Sequence, residues 1–169
     1  KELSSALIDH DKEGMDYIFN GSISAWFRFK DDVNMFNWVE YFRKTYEKID
    51  KDSGLMGLCY ALDTKLPYYA ADKSNCTTKE EIAKALLASF DVYVKRLKYP
   101  HSYLHMYFIA KRWDDVLDFT RYCFDSKNHK KKIGFYNDQI ALMKVIRTLN
   151  KNISFVINGK SYKAPQELL

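Results

Sequence analysis

The sequence predicts an all-α chain with one or two small β-hairpins, organised as two degenerate helical repeats of about 80 to 87 residues packed side by side. Three observations lead there. LMGLCYALDTKLPYY, residues 55 to 69, recurs without a gap as LMKVIRTLNKNISFV, residues 142 to 156, a separation of 87. In both stretches the apolar positions keep helical spacing, up to Leu62 and Leu149, and then alternate as a strand does. The 169 residues are 47% hydrophobic and include 13 Tyr, 11 Phe and 3 Trp, enough for one sizeable aromatic core or two small ones.

The first element of each copy is a helix, over 2 to 19 and again over 78 to 98. Glu2, Leu3, Ala6, Leu7 and Ile8 match Glu81, Ile82, Ala85, Leu86 and Leu87 at a separation of 79. Thr77 or Thr78 can cap the second of these helices, with Glu80 and Glu81 in its first turn. A short helix follows in each copy, SISAWF and SYLHMY, matched at a separation of 80. The third helix runs over about 34 to 48 and 113 to 124, with Phe36, Val39 and Phe42 falling on Trp113, Val116 and Phe119. A fourth, over 54 to 63 and 136 to 150, leads into hairpins near 66 to 76 and 153 to 162. Asn158-Gly159 between alternating apolar residues is the stronger hairpin signal, because both positions tolerate positive φ. CTTKEEI at 76 to 82 and YKAPQEL at 162 to 168 match at a separation of 86. The expected organisation is a single repeat domain over 1–169: repeat one at about 2–77, repeat two at about 78–163, and the start of a third unit at 164–169, excerpted from a longer protein.

The pattern Gly21-Ser-Ile-Ser-Ala-Trp26-Phe, a helix, and then Gly159-Lys-Ser-Tyr162-Lys-Ala-Pro-Gln-Glu167-Leu168 resembles degenerate helical repeats of large bacterial multidomain proteins. The resemblance implies a scaffold-type region attached to other modules and implies no catalytic residues. The second copy departs from the pattern, with Met106 in place of the tryptophan and His101-Ser102 in place of the Gly-Ser pair.

Several residue groups have plainer roles than the chemistry they first suggest. Asp9, Asp11, Glu13 and Gly14 fit the first half of a calcium loop, but its twelfth position is Asn20 and its eighth is Asp16. A solvated junction between helices explains that stretch better. His101 and His105 would share one helical face, yet a metal needs further ligands that the sequence does not place. Cys59, Cys76 and Cys123 have no paired spacing, which favours free thiols in a reducing, cytoplasmic setting over a zinc site or a thiol dyad. There is no GxGxxG, P-loop or GxSxG, so no cofactor is expected. No apolar run reaches membrane-spanning length.

Charge is uneven. Residues 1 to 91 carry 12 Lys/Arg and 16 Asp/Glu, a net of −4; residues 92 to 169 carry 15 and 6, a net of +9. Two functions remain. The first is a non-enzymatic protein-interaction or scaffold module, regulatory within a larger protein, whose partner is another protein or another part of the parent chain. Tyr103, Tyr107, Trp113 and Tyr122 would be its aromatic anchors, with Lys130, Lys131 and Lys132 steering an acidic partner. The alternative is nucleic-acid binding by the basic second half, through Arg96, Lys98, Lys111, Arg112 and the run at 127 to 132. An enzyme with an unrecognised site is the third option.

Overall fold

Short polar side chains fix where several helices begin. Asp32 accepts a hydrogen bond from the Met35 amide at 3.0 Å, and Asp50 accepts one from the Ser53 amide at 3.3 Å. At Thr78 the cap is reciprocal: the Glu81 amide donates to Oγ1 of Thr78 at 3.2 Å, and the Thr78 amide donates to Oε2 of Glu81 at 3.1 Å. Of the two threonines that could cap, Thr78 is the one used.

The computed structural model of the chain describes residues 1–99, 101–124, 138–157 and 160–162. Among these the fold is all-α with two small antiparallel hairpins. The first run of elements is α1 (Glu2–Asp9), α2 (Asp11–Phe19), α3 (Ser22–Phe29), α4 (Val33–Tyr46), α5 (Lys51–Leu62), β1 (Tyr68–Tyr69) and β2 (Asn75–Cys76). The second run is α6 (Lys79–Ala88), α7 (Phe90–Arg96), α8 (Tyr103–Lys111), α9 (Asp114–Phe124), α10 (Asp138–Leu149), β3 (Phe155–Ile157) and β4 (Lys160–Tyr162). Five described helices and a hairpin thus occur twice in the same order.

Backbone details recur with them. Each copy's opening helix, expected to be continuous, breaks at one residue of similar conformation: His10 at φ −122°, ψ 59° and Ser89 at φ −116°, ψ 41°. Positive φ precedes and follows the short aromatic helix in both copies, at Gly21 and Asp31 and at His101 and Arg112. The helix-to-hairpin passage is the same down to single hydrogen bonds. Asp63 and Asn150 each donate their amide four residues back, to Cys59 and Ile146. Their side-chain oxygens accept from the amides of Lys65 at 2.9 Å and Asn152 at 3.0 Å. The hairpins pair in matching register, Tyr68 with Cys76 and Phe155 with Tyr162.

Two alignments change. The short aromatic helices, matched at 80 by sequence, begin 81 apart, at Ser22 and Tyr103, so Tyr107 rather than Met106 stands at the place of Trp26. Asp31 and Arg112, 81 positions apart, are both left-handed and both lie just before the third helix of their copy. At that separation the buried Val39 and Phe42 fall on the buried Thr120 and Cys123, not on Val116 and Phe119 as the apolar spacing suggested. The discrepancy is one helical turn. A shift of four residues leaves a helix's apolar stripe on nearly the same face, so hydrophobicity alone does not resolve it.

The chain divides into two compact units, Lys1–Leu66 with His101–Arg112, and Pro67–Pro100 with Trp113–Leu169. Their boundaries differ from those of the sequence copies, since α8 of the second copy belongs to the first unit. In unit 1, α5 is central and packs against α1, α2, α4 and α8. Gly57 permits the α4 approach: a Cβ there would stand 2.3 Å from Cε1 of Phe42. In unit 2, α10 packs against α6, α7, α9 and β3. Tyr93 of α7 ties the first hairpin down, receiving a hydrogen bond from the Ala71 amide at 2.9 Å and pairing with the Tyr68 hydroxyl at 2.9 Å.

Candidate functional site

Helix α3 is amphipathic in an unusual way for so short an element. Ile23, Ser24 and Phe27 face inward and are buried. Trp26 is 48% exposed and Phe29 81%, and Val33 at the start of α4 is 65% exposed. The helix is set by Asn20 and Gly21. Asn20 accepts a hydrogen bond from the Ser22 amide at 2.8 Å, and Gly21, at φ 89°, holds a left-handed conformation that glycine adopts without steric cost. The Ser24 hydroxyl donates to the Gly21 carbonyl at 2.9 Å. Trp26 is held edge-on by Phe27, centroids 4.7 Å apart.

Between α3 and α4 lies an open groove of about 520 Å³, with Ala25 and Phe29 on one wall and Phe36, Glu40 and Lys44 on the other. The Arg28 guanidinium caps the Phe36 ring at 5.0 Å. Glu40 accepts a two-pronged hydrogen bond from Arg43, both contacts 2.9 Å, and lies 3.3 Å from the Lys44 ammonium. The Arg43 contact, with smaller help from Ser24 and Lys44, pulls the Glu40 carboxyl down to about 2 against the opposing effect of burial. Glu40 therefore stays ionised and engaged at neutral pH, a fixed wall of the groove rather than a proton carrier.

Groups with catalytic potential elsewhere are similarly quiet. All three cysteines are buried free thiols. Burial pushes the Cys59 thiol up to about 12 and that of Cys123 up to about 11, far from the thiolate a nucleophile needs. His101 does not share a helical face with His105, because α8 begins only at Tyr103. Its ring lies edge-on to Trp38 and Tyr41, while Nδ1 of the buried His105 sits 2.8 Å from the Ser102 hydroxyl. Residues 11 to 19 of the acidic stretch form helix α2 rather than a coordinating loop. Among the described residues, no three His, Cys, Asp or Glu side chains gather as a metal site requires, and no helix is long and apolar enough to cross a membrane.

The expected anchors lie in different settings. Tyr103 and Tyr107 are buried, 2% and 0% exposed, so neither offers a surface to a partner. Tyr107 packs edge-on to Tyr60 with centroids 5.4 Å apart. Trp113 is half-buried beneath the Lys79 ammonium, 5.0 Å from the ring. Tyr122 is 50% exposed on α9. Lys130, Lys131 and Lys132 lie outside the described residues. Of the other basic residues, Lys98 pairs with Asp138 at 2.6 Å and Lys111 donates to the Thr64 carbonyl at 3.1 Å. The exposed aromatics of α3 escaped the sequence reading, which took SISAWF as a repeat landmark. Only Phe29 gave a signal, since it falls off the stripe of Ile23 and Phe27; Trp26, three residues after Ile23, sits on that stripe by spacing and reads as buried.

No family model matches the chain, and neither a curated protein nor a solved structure matches it significantly.

Proposed function

We propose that the chain is a non-enzymatic protein-interaction module, a scaffold element of a larger bacterial protein, and that α3 with the adjoining groove is its contact surface. The observation that carries this reading is the exposure of Trp26, Phe29 and Val33 along α3 and the start of α4. Large apolar side chains held on a rigid helix, beside an open groove rimmed by charge, suit a protein surface better than a small molecule, which prefers an enclosed site. Glu40, the carboxyl on the groove wall, is held ionised by Arg43, which suits a fixed contact better than proton transfer.

The test is site-specific photo-crosslinking of the intact chain in its native extract. A photoreactive residue replaces Phe29, and a control replaces the exposed Lys84 on α6. Discrete protein adducts at position 29 and none at 84 are expected. An absence of adducts at 29 would refute the reading.

A further inference from the structure

We infer that the groove between α3 and α4 takes an acidic amphipathic helix of a partner protein, one that carries two carboxylates two turns apart with a large apolar side chain between them. This rests on the interaction-module reading and states the chemistry of the partner.

The groove is shaped by a helical hairpin. Helices α3 and α4 pack together with Ser24 beside Glu40 and Arg28 beside Phe36: the Ser24 hydroxyl acts on the Glu40 carboxyl, and the Arg28 guanidinium lies 5.0 Å over the Phe36 ring. Phe36, Glu40 and Lys44 follow at four-residue intervals and so share one face of α4. From Phe36 to Lys44 that face rises about 12 Å, or two turns. On the α3 wall, Gly21 and Ala25 carry little or no side chain and leave room, while Phe29 is 81% exposed.

The charges along this strip are unbalanced. Arg28, Arg43 and Lys44 stand against one carboxylate, Glu40, and Arg43 engages that carboxylate through both of its oxygens at 2.9 Å. Lys44 lies 3.3 Å from Glu40 with its side chain 71% exposed, and it does less than Arg43 or Ser24 to hold Glu40 ionised. An ammonium has three donors, so Lys44 can take a second carboxylate. Arg28 is exposed and, among the described residues, pairs with no carboxylate. Its planar fork of N–H groups matches a carboxylate in two-pronged fashion.

A helix with acids seven or eight residues apart spans about the same two turns and brings one acid to Arg28 and the other to Lys44. The apolar side chain between them then meets Phe29 and Ala25 in the groove, the mode in which amphipathic helices dock. A nucleic-acid backbone fits less well. Its closely spaced phosphates would meet Glu40 in mid-groove, and residues 1 to 91 carry a net −4.

The experiment is selection from a phage library of helix-scaffolded peptides on the intact chain, followed by fluorescence anisotropy of the enriched peptides. Enriched sequences should carry two acids seven or eight apart around a large apolar residue. Phe29→Ser should weaken such a peptide at least about tenfold. Arg28→Glu and Lys44→Glu should each weaken it about fivefold, and Lys84→Glu on α6 should leave it unchanged. Changing one acid of the peptide to Lys should restore binding to one of the two charge variants and not to the other, a recovery that a misfolded variant cannot show. Enriched peptides without the acid pair, charge variants that bind as the wild type does, or a thymidine oligonucleotide that displaces the peptide as well as unlabelled peptide does would each overturn the proposal. Should position 29 crosslink to a protein while no acid-paired peptide is enriched, the acidic chemistry falls and the interaction-module reading stands. If position 29 gives no adduct and no peptide is enriched, both fall.

Discussion

Helices α3 and α8 hold the same place in two copies of one unit and meet opposite fates. Each begins after a left-handed residue, turns three matching side chains inward and ends at another left-handed residue. Helix α8 packs on α5, where Tyr107 is wholly enclosed, while α3 packs on α4 and α2 and its Trp26, at the matching position, remains 48% exposed. The same element is thus covered along its length in one copy and open along one side in the other.

A second contrast lies behind the central helices. In unit 1 the bulk sits on α4, with Phe42 filling the space that Gly57 leaves on α5. In unit 2 the corresponding residues are Cys123 on α9 and Lys144 on α10, close enough for the lysine's charge to act on the thiol. Volume has moved from one helix to the other.

The largest expected effect breaks this contrast on the unit 1 side. Phe42→Ala should cost about 3–5 kcal/mol in urea denaturation, as for other buried phenylalanines. Cys123→Ala should cost about 1 kcal/mol, since far less volume is lost. Equal losses would mean the two positions are not equivalent in packing.

The next tests the alignment itself. Cys123→Phe alone should destabilise by about 1–3 kcal/mol through overpacking. Adding Lys144→Gly rebuilds the Phe42–Gly57 arrangement in unit 2 and should recover about 1 kcal/mol beyond additivity. A purely additive pair would argue that the separations of 81 and 87 do not describe facing residues.

A smaller effect concerns a feature of the first copy alone. Glu40 is held at about 2 by Arg43, below its ordinary 4.5, and its counterpart at a separation of 81 is Arg121. A depressed carboxyl contributes stability that is present above about 4.5 and is lost as pH falls toward 2. The partners Arg43 and Lys44 are partly or largely exposed, so the loss is about 0.2–1 kcal/mol. Stability measured between pH 6 and pH 2 should fall more in the wild type than in Glu40→Gln. An identical pH dependence would show that the Arg43 contact contributes nothing.

These contrasts explain which parts were legible in the sequence. The passage from α5 to β1, and from α10 to β3, was readable because the apolar period changes abruptly and the match needs no gap. The alignment of α4 with α9 was not, because a four-residue slip preserves the apolar face. The breaks at His10 and Ser89 carry no glycine or proline, and the preceding and following sequence reads as one helix. The burial of Tyr103 and Tyr107 is not legible for a related reason. Composition shows that a helix is aromatic, but what covers it depends on a helix some 45 residues earlier in the chain, here α5.

Amide hydrogen exchange of α3 and α8 tests the central claim most directly. Helix α3 should exchange at least about tenfold faster than α8, a gap of about 1.4 kcal/mol, because α8 is buried along its length and α3 is open along one side. Equal protection in the two helices would contradict the account.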